Sequence, residues 1–113
     1  MLEFSIYDYK ALNELIIHVG ENAKENYRLI DISNKNDLWF HLKDVPSPHV
    51  VIHCHKYKLL DIETIRYVGE LCKENSKYSD NDSIEVIYTE IKNIKKTENI
   101  GTVITKNERY III

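Results

Sequence analysis

Two prolines, Pro46 and Pro48, interrupt the most informative part of this chain. Proline has no amide hydrogen to donate to a sheet, so both residues force a turn. The runs on either side, residues 37–43 and 49–55, are rich in apolar and aromatic side chains, and we predict a strand in each. The centre of the chain is therefore predicted to be two neighbouring strands of a sheet.

The first of these runs alternates between two faces, as a strand requires. The alternate apolar side chains from Leu38 to Leu42 share one face, which suits a core. The other face carries an indole, an imidazole and an ammonium group, those of Trp39, His41 and Lys43. Rings and cations side by side are typical of surfaces that stack on bases and contact phosphate. A covering helix would instead make Trp39 part of the core, and this alternative stays open here.

Composition limits the classes of function. The chain has 113 residues, which predicts one domain, and its net charge is −3. The whole molecule therefore has no basic field to recruit nucleic acid, and any such binding needs a local patch. Lys35–Lys58 contains four lysines and four histidines, which gives such a patch a place.

The two cysteines, Cys54 and Cys72, are far apart and fit no CxxC spacing. The sequence shows no signal peptide and no apolar run long enough to span a membrane. We therefore expect a reduced, cytoplasmic protein without disulfides.

The rest of the chain predicts an α+β domain, residues 1–113, with a mainly antiparallel or mixed sheet and one main helix. Asp61 is a good N-cap for that helix, which we place at about 61–76. Residues 21–27 suit a short helix or a turn, and residues 27–32 suit either a helix or a strand. The other predicted elements are a strand at 13–19 closed by Gly20, a strand at 84–91, a lysine-rich connection at 92–101, and a C-terminal hairpin of 102–105 with 109–113.

The central signature, Asp37-Leu-Trp-Phe-His-Leu-Lys-Asp-Val-Pro46 followed by His49-Val-Val-Ile52, resembles the NFACT-R domain. That domain is the RNA-binding part of NFACT proteins, which include bacterial fibronectin-binding-protein-A-like factors and eukaryotic ribosome-quality-control factors. Weaker similarities flank the signature at Gly20–Asn26, Ile84–Lys96 and Gly101–Val103. The resemblance covers about residues 15–113.

The resemblance, together with the strand faces, implies a non-enzymatic, stand-alone RNA-binding module without catalytic residues, cofactor or metal. Its target would be structured RNA, such as tRNA or ribosomal RNA. The predicted RNA-binding residues are Trp39, His41, Lys43, His49, Lys92, Lys95 and Lys96. The predicted turn and structural residues are Gly20, Asn22, Asn26, Asp37, Phe40, Asp44, Pro46 and Gly101.

One departure from the family pattern concerns the turn. Family members usually have Pro-Gly-Ser-His there, whereas this chain has Pro46-Ser47-Pro48-His49. If the family's turn needs a positive φ at that glycine, either Ser47 is strained or the turn has changed.

Other functions remain open from the sequence. An exposed edge near residues 109–113 could accept a partner strand, which would suit a protein-binding adaptor of the translation machinery. A DNA-binding module is a further alternative. His49, His53 and His55 could share a strand face and ligate zinc, although a polar strand end explains them more simply. Catalysis is disfavoured because Cys54 and its neighbouring histidines point to opposite faces of a strand.

Overall fold

A computed structural model describes residues 1–10, 12–54 and 60–113 of the chain. These residues form an α+β domain, as predicted. Its elements are β1 (Leu2–Asp8), β2 (Asn13–Val19), α1 (Ala23–Ile32), β3 (Leu38–Leu42), β4 (Val50–His53), α2 (Ile62–Glu74), β5 (Glu85–Glu90), β6 (Ile94–Lys96), β7 (Val103–Thr105) and β8 (Arg109–Ile112).

The main sheet has six antiparallel strands in the order β1-β2-β4-β3-β5-β8. The signature strand β3 lies near its centre, with Trp39 opposite Val51 of β4 on one side and Thr89 of β5 on the other. The two strands predicted on either side of the prolines are therefore confirmed as neighbours. A side chain on β3 is consequently surrounded by sheet on both sides.

The two α-helices of the described ranges cover opposite faces of this sheet. Helix α2 packs its Ile65, Val68 and Cys72 against the face that carries Phe40. Helix α1 contributes Leu29 to a second cluster on the other face, with Trp39 among its members. The sheet is thus sandwiched, and each face of β3 has a helix above it.

Capping explains where both helices begin. The Asp61 side chain accepts a hydrogen bond from the Thr64 amide at 2.9 Å, so the predicted N-cap of α2 is confirmed. Asn22 caps α1 in the same way, accepting from the Glu25 amide at 2.9 Å. The segment left open in the sequence, residues 21–32, is therefore mainly helical, and the chain has a second helix beyond the main one.

A C-terminal hairpin is present, but its strands are not the predicted pair. β7 pairs with β6, and β8 pairs with β5 at the edge of the main sheet. The Thr89 hydroxyl donates to the Lys106 carbonyl at 3.0 Å and holds the connection between β7 and β8. Joining β5 lets β8 bury Ile111 in the main core, which a local pairing with β7 would not provide.

The sequence prediction made no assignment before residue 13, where the structure has the edge strand β1. It pairs along its full length with β2 and packs Leu2, Phe4 and Ile6 against the main core. Neither helix in the described ranges is long and apolar enough to cross a membrane.

Candidate functional site

A cleft of about 660 Å³ opens on the α1 side of the main sheet. Its walls come from α1, from residues 100–102 and from β7. Four residues predicted from the signature lie together in it, namely Trp39, His41, Lys43 and His49. The sequence therefore identified residues that the fold does bring to one place.

Trp39 forms the floor of the cleft and is not an exposed ring. Only 1% of the residue is exposed, and it packs in a cluster with Leu29, Val51 and Ile91. The prediction that Trp39 is an exposed ring on which bases stack is therefore wrong, and the alternative, that Trp39 is part of the core, is right. The alternation placed Trp39 on the correct face, but the helix that covers this face was not assigned from the sequence.

His49 is buried beside Trp39 and is not an open contact residue either. The indole Nε1–H of Trp39 donates to His49 Nδ1 at 3.1 Å, so the other nitrogen of a neutral His49 ring carries the proton. Burial lowers the pKa of His49 to about 3, helped by the neighbouring His41 and opposed by a hydrogen bond with the Gly101 backbone. His49 is therefore uncharged at neutral pH and orients the indole.

His41 is half-buried and stacks on Trp39, with ring centroids 5.5 Å apart and planes 15° from parallel. Its Nδ1 lies 2.5 Å from the Leu42 carbonyl, which can only accept, so Nδ1 carries the proton. Burial lowers the pKa of His41 more than this hydrogen bond raises it. A neutral His41 therefore keeps a free acceptor lone pair on Nε2.

The charges that line the cleft cancel. Among the described residues, Lys43 and Arg109 are the cations that line it, and Asp44 and Glu108 are the anions. Lys43 is half-exposed and lies 3.2 Å from Glu85 Oε2, a contact that raises the pKa of the lysine. The cleft is therefore lined by rings and is nearly neutral, unlike a basic groove.

The three predicted lysines of the 92–101 segment do not line the cleft. Lys92 pairs with Glu90 at 3.2 Å, whereas Lys96 pairs with Asp31 and lies 5.1 Å from the centre of the Tyr27 ring. Lys95 is exposed on β6, on the outer side of the small hairpin. The structure therefore places Lys95 and Lys96 on a hairpin whose other strand, β7, forms a cleft wall, and it places Lys92 in the short turn before that hairpin.

Gly20 and Asn26 fix the backbone of His49. The Gly20 amide donates to the His49 carbonyl at 2.9 Å, and the Asn26 side chain accepts from the His49 amide at 3.2 Å. A Cβ on Gly20 would lie 2.1 Å from Asn26 Oδ1, so a side chain there would displace the asparagine. These two residues thus hold one end of the cleft floor.

The 97–102 loop, which we call the roof of the cleft, is held to α1 by hydrogen bonds. The Tyr27 hydroxyl lies within hydrogen-bonding distance of three loop carbonyls, at 2.8 Å from Thr97, 2.8 Å from Asn99 and 2.6 Å from Thr102. Gly101 adopts a φ of +85°, and a Cβ there would lie 2.8 Å from the Cβ of Ala23. Glycine therefore lets the loop reach its turn and touch the helix.

The departure at the family's turn is accommodated without strain at Ser47. Asp44, not Ser47, has a positive φ, of 59°. The Ser47 hydroxyl accepts from the Leu42 amide at 3.0 Å and donates to the Pro48 carbonyl at 2.7 Å. The serine side chain thus closes the turn between β3 and β4, and Pro46 lines the cleft beside it.

A family model supports the resemblance found in the signature. The model for the NFACT protein RNA binding domain matches residues 4–109. The chain belongs to this family. It is 35% identical over 89 residues to the Rqc2 homolog RqcH of Bacillus subtilis, and this match covers 78% of the chain and 15% of RqcH.

Two further relatives extend the comparison. The coiled-coil domain-containing protein 25 homolog of Dictyostelium discoideum is 32% identical over 104 residues, which are 87% of this chain and 50% of that protein. The solved structure of the C-terminal part of the fibronectin/fibrinogen-binding protein from Streptococcus suis superposes with a TM-score of 0.79 at 29% identity, covering 88% of this chain and 40% of that one. The NFACT domain described here thus spans half or less of the length of these relatives.

Asp37, the first residue of the NFACT signature, is fully buried and anchors the start of β3. Its carboxylate accepts from the Asn34 amide at 2.9 Å, the Cys54 amide at 3.1 Å and His53 Nδ1 at 2.8 Å. Burial would raise the pKa of Asp37, but these hydrogen bonds outweigh it and the pKa is lowered. Asp37 therefore joins β3 to β4 as a buried carboxylate.

Sequence reasoning missed a polar chain that extends from Asp37 across the sheet. His53 Nε2 lies 2.8 Å from His18 Nδ1, and His18 Nε2 lies 2.8 Å from Glu3 Oε1. Two imidazoles are thus held between two carboxylates on β1, β2, β4 and the start of β3. The residues become neighbours only through the strand order, and β1 was not assigned from the sequence.

The alternative sites are weaker in the structure. The described residues contain no group of three or more metal-binding side chains suited to an ion, and His55 lies outside the described residues. Burial raises the pKa of the Cys54 thiol to about 11 and that of Cys72 to about 12. Neither thiol is an activated nucleophile, because both stay protonated at neutral pH.

Proposed function

We propose that this NFACT domain is a non-enzymatic RNA-binding module that works in translation or ribosome quality control, in the cytoplasm. The observation that carries the proposal is that four signature residues of an RNA-binding family converge on one cleft. The likeness to an Rqc2 homolog supports the ribosomal context. We propose structured RNA, such as tRNA or ribosomal RNA, as the target.

The proposed roles follow from exposure. Trp39 and His49 are interior and support the floor, whereas His41 and Lys43 face the cleft and can reach a ligand. Lys95 is exposed on the adjoining hairpin and can contact phosphate. Recognition would combine backbone contacts with shape, which is how proteins usually meet folded RNA.

Fluorescence anisotropy with labelled total tRNA, at low and at moderate salt, tests this function. We expect binding that weakens with salt, because each phosphate contact releases a counterion. Changing Lys92, Lys95 and Lys96 together to alanine should reduce the slope of log K against log salt by up to about 3. Lys10→Ala, in the β1–β2 turn at the far edge of the sheet, is the matched control and should leave the slope unchanged.

One observation favours a second candidate, a protein-binding adaptor. β8 is an edge strand of the main sheet, and its Tyr110 and Ile112 are exposed. Such an edge can accept a strand from a partner. Absence of tRNA binding at low salt would favour this candidate, and equal binding of DNA and RNA of one sequence would favour a DNA-binding module.

A further inference from the structure

A cleft with almost no net charge is a poor binding site for a phosphate backbone. Among the described residues that line it, the cations Lys43 and Arg109 are matched by Asp44 and Glu108, and both histidines are uncharged. A nucleobase is an uncharged aromatic ring. We propose that the cleft binds one unpaired RNA base, with His41 Nε2 accepting a hydrogen bond from an N–H on the base edge; this inference rests on the proposed RNA-binding function.

A row of side chains leads from the buried floor to the rim of the cleft. His41 is the strand partner of Ile87, and Ile87 is the strand partner of Tyr110, so the three lie side by side across β3, β5 and β8. Exposure rises along the row, from a half-buried His41 and Ile87 to Tyr110, which is 64% exposed. A flat ligand therefore meets rings and an aliphatic side chain along one row, and the exposed ring of Tyr110 offers a surface for stacking.

His41 supplies the polar contact in this row. Its Nδ1 is engaged by the Leu42 carbonyl, and its plane is fixed by the parallel Trp39 ring beneath it. Every buried side-chain nitrogen or oxygen among the described residues has a partner, whereas Nε2 of His41 shows none. Nε2 is therefore not completely buried, and because the ring is held in place it presents a lone pair in a fixed direction from a residue that lines the cleft.

Size and surroundings agree with a single nucleotide. A cleft of about 660 Å³ lies within the range of small-molecule sites. Lys43 is 52% exposed at the cleft and can meet the phosphate of the inserted nucleotide. All four RNA bases carry an N–H donor. His41 would therefore recognise any unpaired base and would not select one of the four.

The test compares three RNA duplexes of one sequence by anisotropy at fixed salt. The first is blunt, the second has a single bulged adenosine, and the third has purine riboside, which lacks the amino group, at the bulge. We expect the adenosine bulge to bind about fivefold or more tightly than the blunt duplex, because it adds a stacked base. Purine riboside should lose about three- to tenfold of that affinity.

Two variants assign the effect to the cleft. His41→Phe keeps a ring on Trp39 but removes the acceptor, so the adenosine and purine riboside bulges should bind equally. Tyr110→Ala changes an exposed rim residue with little risk to folding, and it should reduce the preference for a bulge. Tyr9→Ala is the matched control, because Tyr9 is 81% exposed and follows β1, at the opposite edge of the sheet.

The outcomes separate this inference from the proposed function. Salt-dependent binding of tRNA with equal affinity for blunt and bulged duplexes would overturn the base site and leave RNA binding intact. Discrimination of purine riboside that persists in His41→Phe would overturn the role of His41. Failure of every RNA to bind at low salt would overturn both.

Discussion

The two faces of the main sheet are buried by different chemistry. The α2 face is closed by apolar contact, with Phe40 packed parallel to Tyr88 at 5.3 Å between ring centres. The α1 face holds the buried polar residues of the described chain, which are Asn26, Asp37, His49 and Thr89. Apolar packing tolerates many side chains of similar volume, whereas a satisfied polar network tolerates few. The buried polar residues of the signature, Asp37 and His49, therefore lie on the face where burial needs specific partners.

The largest expected effect comes from removing a ring on either face. Phe40→Ala and Trp39→Ala should each lower the free energy of unfolding by about 3–5 kcal/mol, because both leave a cavity. Urea denaturation measures this. A third variant, Trp39→Phe, sharpens the comparison. It keeps a ring in the core, but it should still lower the free energy of unfolding by about 1–3 kcal/mol because it leaves His49 Nδ1 unpaired.

A Trp39→Ala variant with an unchanged melting temperature and weaker RNA binding would contradict this account. It would mean that the indole contacts ligand and not the interior. Phe40→Leu is the matched control on the α2 face, where no polar partner is lost and the smaller volume alone sets the cost.

Acid should affect the α1 face through His49. Its folded pKa of about 3 is below the ordinary value of 6.5, so the unfolded chain takes up the proton first as pH falls. The stability from the neutral ring is complete above pH 6.5 and is lost by about 1.4 kcal/mol per pH unit toward pH 3. His41, whose pKa is also lowered, adds to the loss.

Urea denaturation at pH 7, 5.5 and 4.5 checks this, with His49→Gln as the variant. We expect the wild-type chain to lose stability steadily and the variant to show a smaller slope. Equal slopes in the two proteins would show that His49 does not control the acid response. Asp37, whose pKa is lowered from 3.8, contributes only at still lower pH.

A smaller effect is expected at the roof of the cleft. Tyr27→Phe removes the hydroxyl that reaches the 97–102 loop and should cost about 0.5–1.5 kcal/mol. Hydrogen exchange should then speed up in that loop while the amides of β3 remain protected. Tyr67→Phe, on the α2 face, is the control and should leave the loop unchanged.

Much of the central fold was predictable because local rules act there. The prolines marked the turn, alternation assigned the faces of β3, and Asp61 marked the start of α2. The hairpin error has a non-local cause, since β8 gains its core contacts from β5 and not from its neighbour in sequence. Pairing across such distances leaves no short pattern to read.

The sequence predicted which residues of the signature form the candidate site, but it did not predict how exposed each of them is. The rings of the signature do meet in one cleft, but the local sequence of residues 21–32 does not decide between a helix and other structures, and it is α1 that turns Trp39 from surface into interior. The sequence did not predict that Glu3 and His18 belong to the polar chain. Their contact depends on the strand order and on β1, which no local pattern indicates.

The close approach of Gly101 to Ala23 links two positions that are distant in the chain. Any side chain larger than hydrogen at position 101 would have to push the first turn of α1 outward, and a larger residue at position 23 would do the same from the other side. Natural variation at one position should therefore be tied to the other, so that relatives differing at both would show how a shifted roof reshapes the space beneath it.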